Sequence, residues 1–243
     1  MIAELRSELL KQRTTQTALF LFLAMVVLVA LAVALHVLAL GKAHLATNAH
    51  QLEVFQIGTR AGMLFAALAG ALAITAEIRY GTIRPTFLVS PRRSPVVVAK
   101  LAVGALTGLI YGLLAEGLMA VFAAVAFSVR GIPNELTTSD YTRILIGGAI
   151  AAALWAVLGV GVGALVRNQV ATLVGLCAWM FLVESVTEGF VPGAAKLMPG
   201  GAGLSLAGNE HKLSIGAAAL LLLAYTAAAA AGGWLTTLRR DVT

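Results

Sequence analysis

Six apolar stretches, each near the ~20 residues that a ~30 Å hydrocarbon core requires, dictate what this chain can fold into. They run approximately over Ala18–Leu40, Gly58–Ala76, Val96–Phe127, Ile144–Val166, Val170–Phe190 and Ile215–Leu235. Of the 243 residues 60% are hydrophobic and only 12% are charged, with mean hydropathy +0.93. A soluble domain carries about 25% charged residues, so the composition points to an integral membrane protein. The expected fold is all-α: a polytopic bundle of six transmembrane helices forming a single domain over residues 1–243. The first apolar run is longer than the ~7–15 residues of a cleaved signal segment, so it reads as an uncleaved first span. The third is too long for an upright span and is expected to tilt or to start in the cytoplasm.

The net charge of +6 is not a nucleic-acid signal in such a chain; it records orientation and contact with anionic headgroups. With the N-terminus inside, eleven Lys and Arg residues fall on the cytoplasmic side and six outside, which favours both termini in the cytoplasm. Cys177 is the single cysteine and lies in an apolar run, so no internal disulfide can form.

Three polar interruptions stand out. Before the first span, Ile2, Leu5, Leu9 and Leu10 share a helical face while Glu4, Glu8, Lys11 and Gln12 occupy others, predicting an amphipathic interface helix within residues 1–17. Between the second and third spans, residues 77–95 carry Glu77, Arg79, Gly81, Thr82, Arg84, Arg92 and Arg93, with Lys100 just beyond. Ser90-Pro91 and Ser94-Pro95 suit helix starts, so this segment reads as a short cytoplasmic helix able to dock a partner. Residues 189–216, rich in Gly and Pro, read as a re-entrant or interfacial segment before the sixth span.

No G-x-x-x-x-G-K-[ST], H-E-x-x-H or G-x-S-x-G occurs, which excludes a P-loop and weakens metalloprotease and serine-hydrolase readings. His44, His50 and Glu53 fall together on the predicted outer loop. A metal site is one reading, a solvated loop the more ordinary one, and no metal is expected. Acidic residues inside a span cost about 2.5–3.5 kcal/mol, so Glu116, Glu184 and Glu188 must face protein or water. They line a substrate path or serve structural hydrogen bonds; both readings stay open. Gly104, Gly108 and Gly112, and Gly159 with Gly163, repeat every fourth residue and are read as close packing between helices of one chain.

The ordered set of segments resembles the membrane subunit of a type-2 ATP-binding-cassette exporter, and bacterial, particularly actinobacterial, members of that family. Residues 7–15 (Ser-Glu-Leu-Leu-Lys-Gln-Arg-Thr-Thr) are similar to the family's entry helix. Glu77, Gly81-Thr82, Pro91, Arg93 and Lys100 match its loop pattern, and Leu197-Met198-Pro199-Gly200-Gly201-Ala202 and Arg239-Arg240-Asp241-Val242 are similar to its later segments. The resemblance implies a multi-pass permease of the bacterial cytoplasmic membrane, paired as a homodimer or with a similar permease, and no enzyme in itself. It implies docking of a separate ATPase through Glu4, Glu8, Lys11, Arg13, Glu77, Arg79, Gly81, Thr82, Arg84, Arg92 and Arg93. ATP and magnesium would reside on that partner, with no cofactor on this chain. The first, second and fifth spans would border the route outward, placing Glu184 near its outer end. The apolar lining leans towards amphiphilic or hydrophobic cargo, such as a drug, antibiotic or lipid.

Two other classes remain open on the residues alone. One is an ATP-independent channel or sensor module. The other is an intramembrane enzyme using Glu116 or Glu184 with His36, residues on different spans with no spacing that links them.

Overall fold

The structure is a computed structural model that describes residues 2–82, 93–208 and 213–239, apart from the side chains of Arg13, Thr14, Arg93 and Arg239. The docking candidates Arg84 and Arg92, and both Ser90 and Pro91, lie outside the described residues. Every regular element described is helical. A short leading helix, α1 (Ile2–Thr14), precedes α2 (Gln16–Ala39), α3 (Asn48–Arg79), α4 (Arg93–Arg130), α5 (Thr138–Val166) and α6 (Gln169–Phe190). Two short helices, α7 (Pro192–Ala195) and α8 (Pro199–Leu206), lead into α9 (Ile215–Arg239). The helices α2, α3, α4, α5, α6 and α9 are all long and apolar enough to cross a membrane, and they coincide with the six expected spans.

The boundaries carry information. The second span begins at Asn48, ten residues before the apolar run, because Thr47 caps the helix by accepting a hydrogen bond from the His50 backbone. Hydropathy missed these ten residues, nearly three turns at about 3.6 residues per turn, because Asn48, His50, Gln51 and Glu53 are polar. Arg60, counted as an outer-loop residue, therefore sits well inside α3. The third span, α4, has 38 residues, about 57 Å at 1.5 Å per residue, and overruns a ~30 Å core as its apolar length predicted.

At the centre lie α3 and α5, the two most enclosed spans, with α2, α4, α6 and α9 arranged around them. Glycine sets their separation. A Cβ on Gly70 would overlap the carbonyl oxygen of Ala156, and one on Gly159 would overlap that of Ala67, so the two backbones touch from both sides. The stripe Gly104, Gly108 and Gly112 packs α4 against α5: a Cβ on Gly108 would meet the Ala152 oxygen at 2.6 Å, and one on Gly112 the Ala149 Cα at 2.6 Å. The every-fourth glycines are thus intramolecular packing, as read from their spacing.

Where α5 ends, Arg167 adopts a left-handed conformation (φ 58°) and Asn168 immediately caps α6, accepting from the Ala171 backbone at 3.0 Å. The turn between the fourth and fifth spans is two residues long. Midway along α6, residues Trp179–Glu184 form a π-helical turn, which shifts the phase of the helix so that Glu184 points inward. Beyond it α8 is a largely buried eight-residue helix, wedged against α3, α5 and α9, with Pro199 at its start and Gly208 (φ +78°) after its end.

This packing makes a direct forecast. Gly159→Ala is expected to force α3 and α5 apart and destabilise the protein by about 1–3 kcal/mol, the usual cost of overpacking. Gly117→Ala, where a Cβ meets open space, is expected to leave the melting temperature in detergent unchanged.

Candidate functional site

At the end of the bundle that carries α1, four charges converge. Glu8 of α1, Glu77 near the end of α3 and Lys100 near the start of α4 are all nearly buried, and Lys11 of α1 is half-exposed. Lys100 Nζ lies 2.9 Å from Glu8 Oε2 and 2.8 Å from Glu77 Oε1, and donates a third bond to the Ala73 carbonyl at 3.1 Å. Lys11 Nζ lies 2.7 Å from both Glu8 Oε1 and Glu77 Oε1. Two carboxylates and two ammonium groups therefore alternate around a closed, neutral ring. It clips α1 to the ends of α3 and α4.

This ring fixes how the leading helix is seated. The face of α1 turned inward is polar, with Glu8 buried, while Ile2, Leu9 and Leu10 of the predicted apolar stripe are exposed at the bundle surface. The reason is electrostatic: Lys100 at 2% exposure cannot be left without counter-charge, and α1 supplies one. Burial opposes the charge on Lys11, but hydrogen bonds to Glu77 and Glu8 and their Coulombic attraction outweigh it, raising its pKa above 10.5. A lysine raised on folding adds stability below its unfolded pKa and loses it as the pH climbs through the folded one. As far as Lys11 is concerned, the clip is therefore intact at neutral pH and weakens in strong alkali.

Beside the ring opens a cavity of about 500 Å³. Leu21, Ala69, Leu72 and Ala73 form its apolar wall; Lys11, Gln12, Glu77, Tyr80 and Gln169 form its polar mouth. It is thus bordered by the first and second spans and the start of the fifth. Glu77 Oε2 is buried without a hydrogen-bond partner among the described residues.

The sequence candidates are distributed as follows. Of the docking set, Glu8, Lys11 and Glu77 are engaged in the ring, whereas Arg79, Gly81 and Thr82 lie at the exposed end of α3, where Arg79 stacks on Tyr80 and bonds to Gln169. Glu4 of α1 is partly buried. Glu116 is enclosed in a slot between α3 and α5, where Thr59 Oγ1 donates to it at 2.6 Å and Gly58 and Gly148 leave room for the carboxylate. Glu184 accepts from the Gly200 backbone at 2.8 Å and from Trp179 Nε1 at 2.9 Å, placing a carboxylate at the N-terminus of α8. Glu188 pairs with Arg60 at 2.8 Å, and both border, with Glu184, a cavity of about 10 Å³, room for about one water. Glu184 and Glu188 are thus brought together at the far end of the bundle, while Glu116 stands in a separate slot.

Sequence reasoning quoted Lys100 in a pattern but gave it no place in the site. Its signal was available: a lone lysine within the apolar run Val96–Leu101 is as costly as a buried glutamate and needs a partner.

Six membrane-crossing helices, a charge-clipped leading helix and an amphiphilic cavity at one end describe a multi-pass membrane transport subunit. A family model described as "ABC-2 family transporter protein" matches residues 4–184, most of the chain, and the protein belongs to that family. Permeases of this family generally pair with an ABC ATPase. No curated protein matches the chain.

Breaking the ring at one member leaves an unbalanced buried charge, which typically costs 3–5 kcal/mol. Lys100→Met is expected to lower the melting temperature markedly, and adding Glu77→Gln, which leaves the Glu8–Lys11 pair balanced, to recover part of the loss. A double-mutant cycle measures this; strict additivity would show that the two groups do not interact.

Proposed function

We propose that this chain is the transmembrane subunit of an ATP-driven exporter of the bacterial cytoplasmic membrane, with its termini in the cytoplasm. It acts as a pair, of two copies or of one copy with a similar permease, and a separate ATPase carrying ATP and magnesium powers it. The observation that supports this reading best is the four-charge ring. A push delivered from the cytoplasm to the leading helix or to residues 77–94 reaches α3 and α4 together, because the ring joins all three elements. The basic residues Arg79, Arg84, Arg92 and Arg93 suit the acidic side chains and carbonyl groups of an ATPase groove. Glu8 and Glu77 then act from behind the docking surface, holding it in place, rather than meeting the ATPase themselves.

The cargo suggested is an amphiphile. Pockets for drug-sized ligands span about 300–1,000 Å³, and the cavity beside the ring, apolar on one wall and polar at its mouth, falls within that range. A hydroxyl or ammonium group on the cargo would satisfy Glu77 Oε2, while its apolar body rests against Leu21 and Leu72. Outward movement would then have to release the Arg60–Glu188 pair and the Glu184 contacts that fasten α8 at the other end.

Co-purification with the candidate ATPase, followed by ATP hydrolysis in lipid, tests the reading. Reversing charge at Arg92 and Arg93 to Glu is expected to abolish co-purification and stimulated hydrolysis while the amount of inserted protein stays the same. Unchanged complex yield would count against docking at this segment.

A further inference from the structure

His44, His50 and Glu53 lie at the end of the bundle opposite the charge ring, and the structure brings them to one point. One ring nitrogen from each histidine and a carboxylate oxygen of Glu53 all lie within 4.8 Å of one another. The two imidazoles stack with centroids 3.7 Å apart and planes inclined by 22°. We propose that these three residues form a binding site for a divalent transition ion of the zinc class.

The physical case rests on how firmly the three are held. His44 belongs to a 3-10 turn (His44–Ala46) whose next residue, Leu45, is fully buried. His50 precedes Gln51, also fully buried, on the first turns of α3. Gln51 Nε2 donates to the Leu45 carbonyl at 3.0 Å and to the Pro133 carbonyl at 2.8 Å, and its Oε1 accepts from the Glu135 backbone at 3.0 Å. The two histidine-bearing segments are thus bolted to one another and to the α4–α5 connection by a single buried amide. His50 and Glu53 are three apart on a helix, which puts them on one face. Thr47 Oγ1, the cap of α3, lies 2.8 Å from His50 Nδ1 and fixes the ring, the kind of outer contact that orients metal-ligating histidines.

The donor set chooses the ion. Two imidazole nitrogens and one carboxylate suit zinc and its neighbours, whereas magnesium and calcium demand oxygen ligands. Zinc–ligand bonds of about 2.0–2.2 Å require the two stacked rings to turn apart so that their in-plane lone pairs converge on one ion, which side-chain rotation of the exposed His44 and Glu53 allows. Water completes the coordination. A bound ion would tie the α2–α3 connection to α3 at a second point beside Gln51.

The test uses the full chain in lipid nanodiscs after removal of any polyhistidine tag and of adventitious metal, titrated with zinc in competition with a chromophoric chelator. One equivalent per chain is expected, undisplaced by excess magnesium, with affinity reduced about tenfold or more in His44→Ala and in His50→Ala. Both variants should keep the metal-free melting temperature of the parent, because the side chains pack on the outside, while zinc raises the melting temperature of the parent alone. Failure of the parent to bind zinc would overturn the proposal, as would equal binding by the parent and a His44→Ala/His50→Ala double variant.

Discussion

Lys100 sits where a charge has no business being unaccompanied. At 2% exposure, seven residues after the start of a helix that enters an apolar bundle, its ammonium group requires counter-charge and meets two carboxylates. One comes from Glu77 at the end of the preceding span and the other from Glu8 in the leading helix, 92 residues away. Lys11 then balances the second negative charge. The seating of α1, with its polar face inward, rests on this four-charge ring.

The rest of the bundle obeys a different rule. Between α3 and α5 there is nothing to neutralise, and glycine lets the backbones meet directly through Gly70 and Gly159. The buried carboxylate of Glu116 fits this tight interface only because Gly58 and Gly148 vacate the space and Thr59 donates to it. At the far end the same chemistry recurs in another form: Glu184 is satisfied by the backbone at the start of α8 and by Trp179. These buried carboxylates are therefore anchored in three different ways, by ammonium groups, by a hydroxyl and by a helix N-terminus. Among the described residues, Glu8 and Glu77 border a cavity of about 500 Å³.

The six spans were legible because each exceeds the membrane-crossing length, and the glycine stripes because helical spacing puts every fourth residue on one face. The early start of α3 was hidden, since Asn48, His50, Gln51 and Glu53 lower hydropathy although Thr47 caps a sound helix. The π-turn that aims Glu184 inward has no compositional mark. The ring was half-visible: each charge was noticed, but the pairing of Glu8 with Lys100 depends on how helices far apart in sequence come together. The same limit applied to His44, His50 and Glu53: the sequence put all three on one outer loop, whereas His50 and Glu53 lie on α3 and the buried amide of Gln51 ties that helix to the turn that carries His44. The docking candidates Arg84 and Arg92 lie outside the described residues.

The central claim, that four charges hold the leading helix against the third span, is tested most directly by a distance. Spin labels at exposed Arg6 on α1 and exposed Val98 on α4, in a Cys177→Ala background, report their separation in lipid by pulsed electron resonance. A single narrow distribution that broadens when Lys100 is replaced by Met is the predicted result. A broad distribution already present with Lys100 intact, and unchanged on its replacement, would contradict the account.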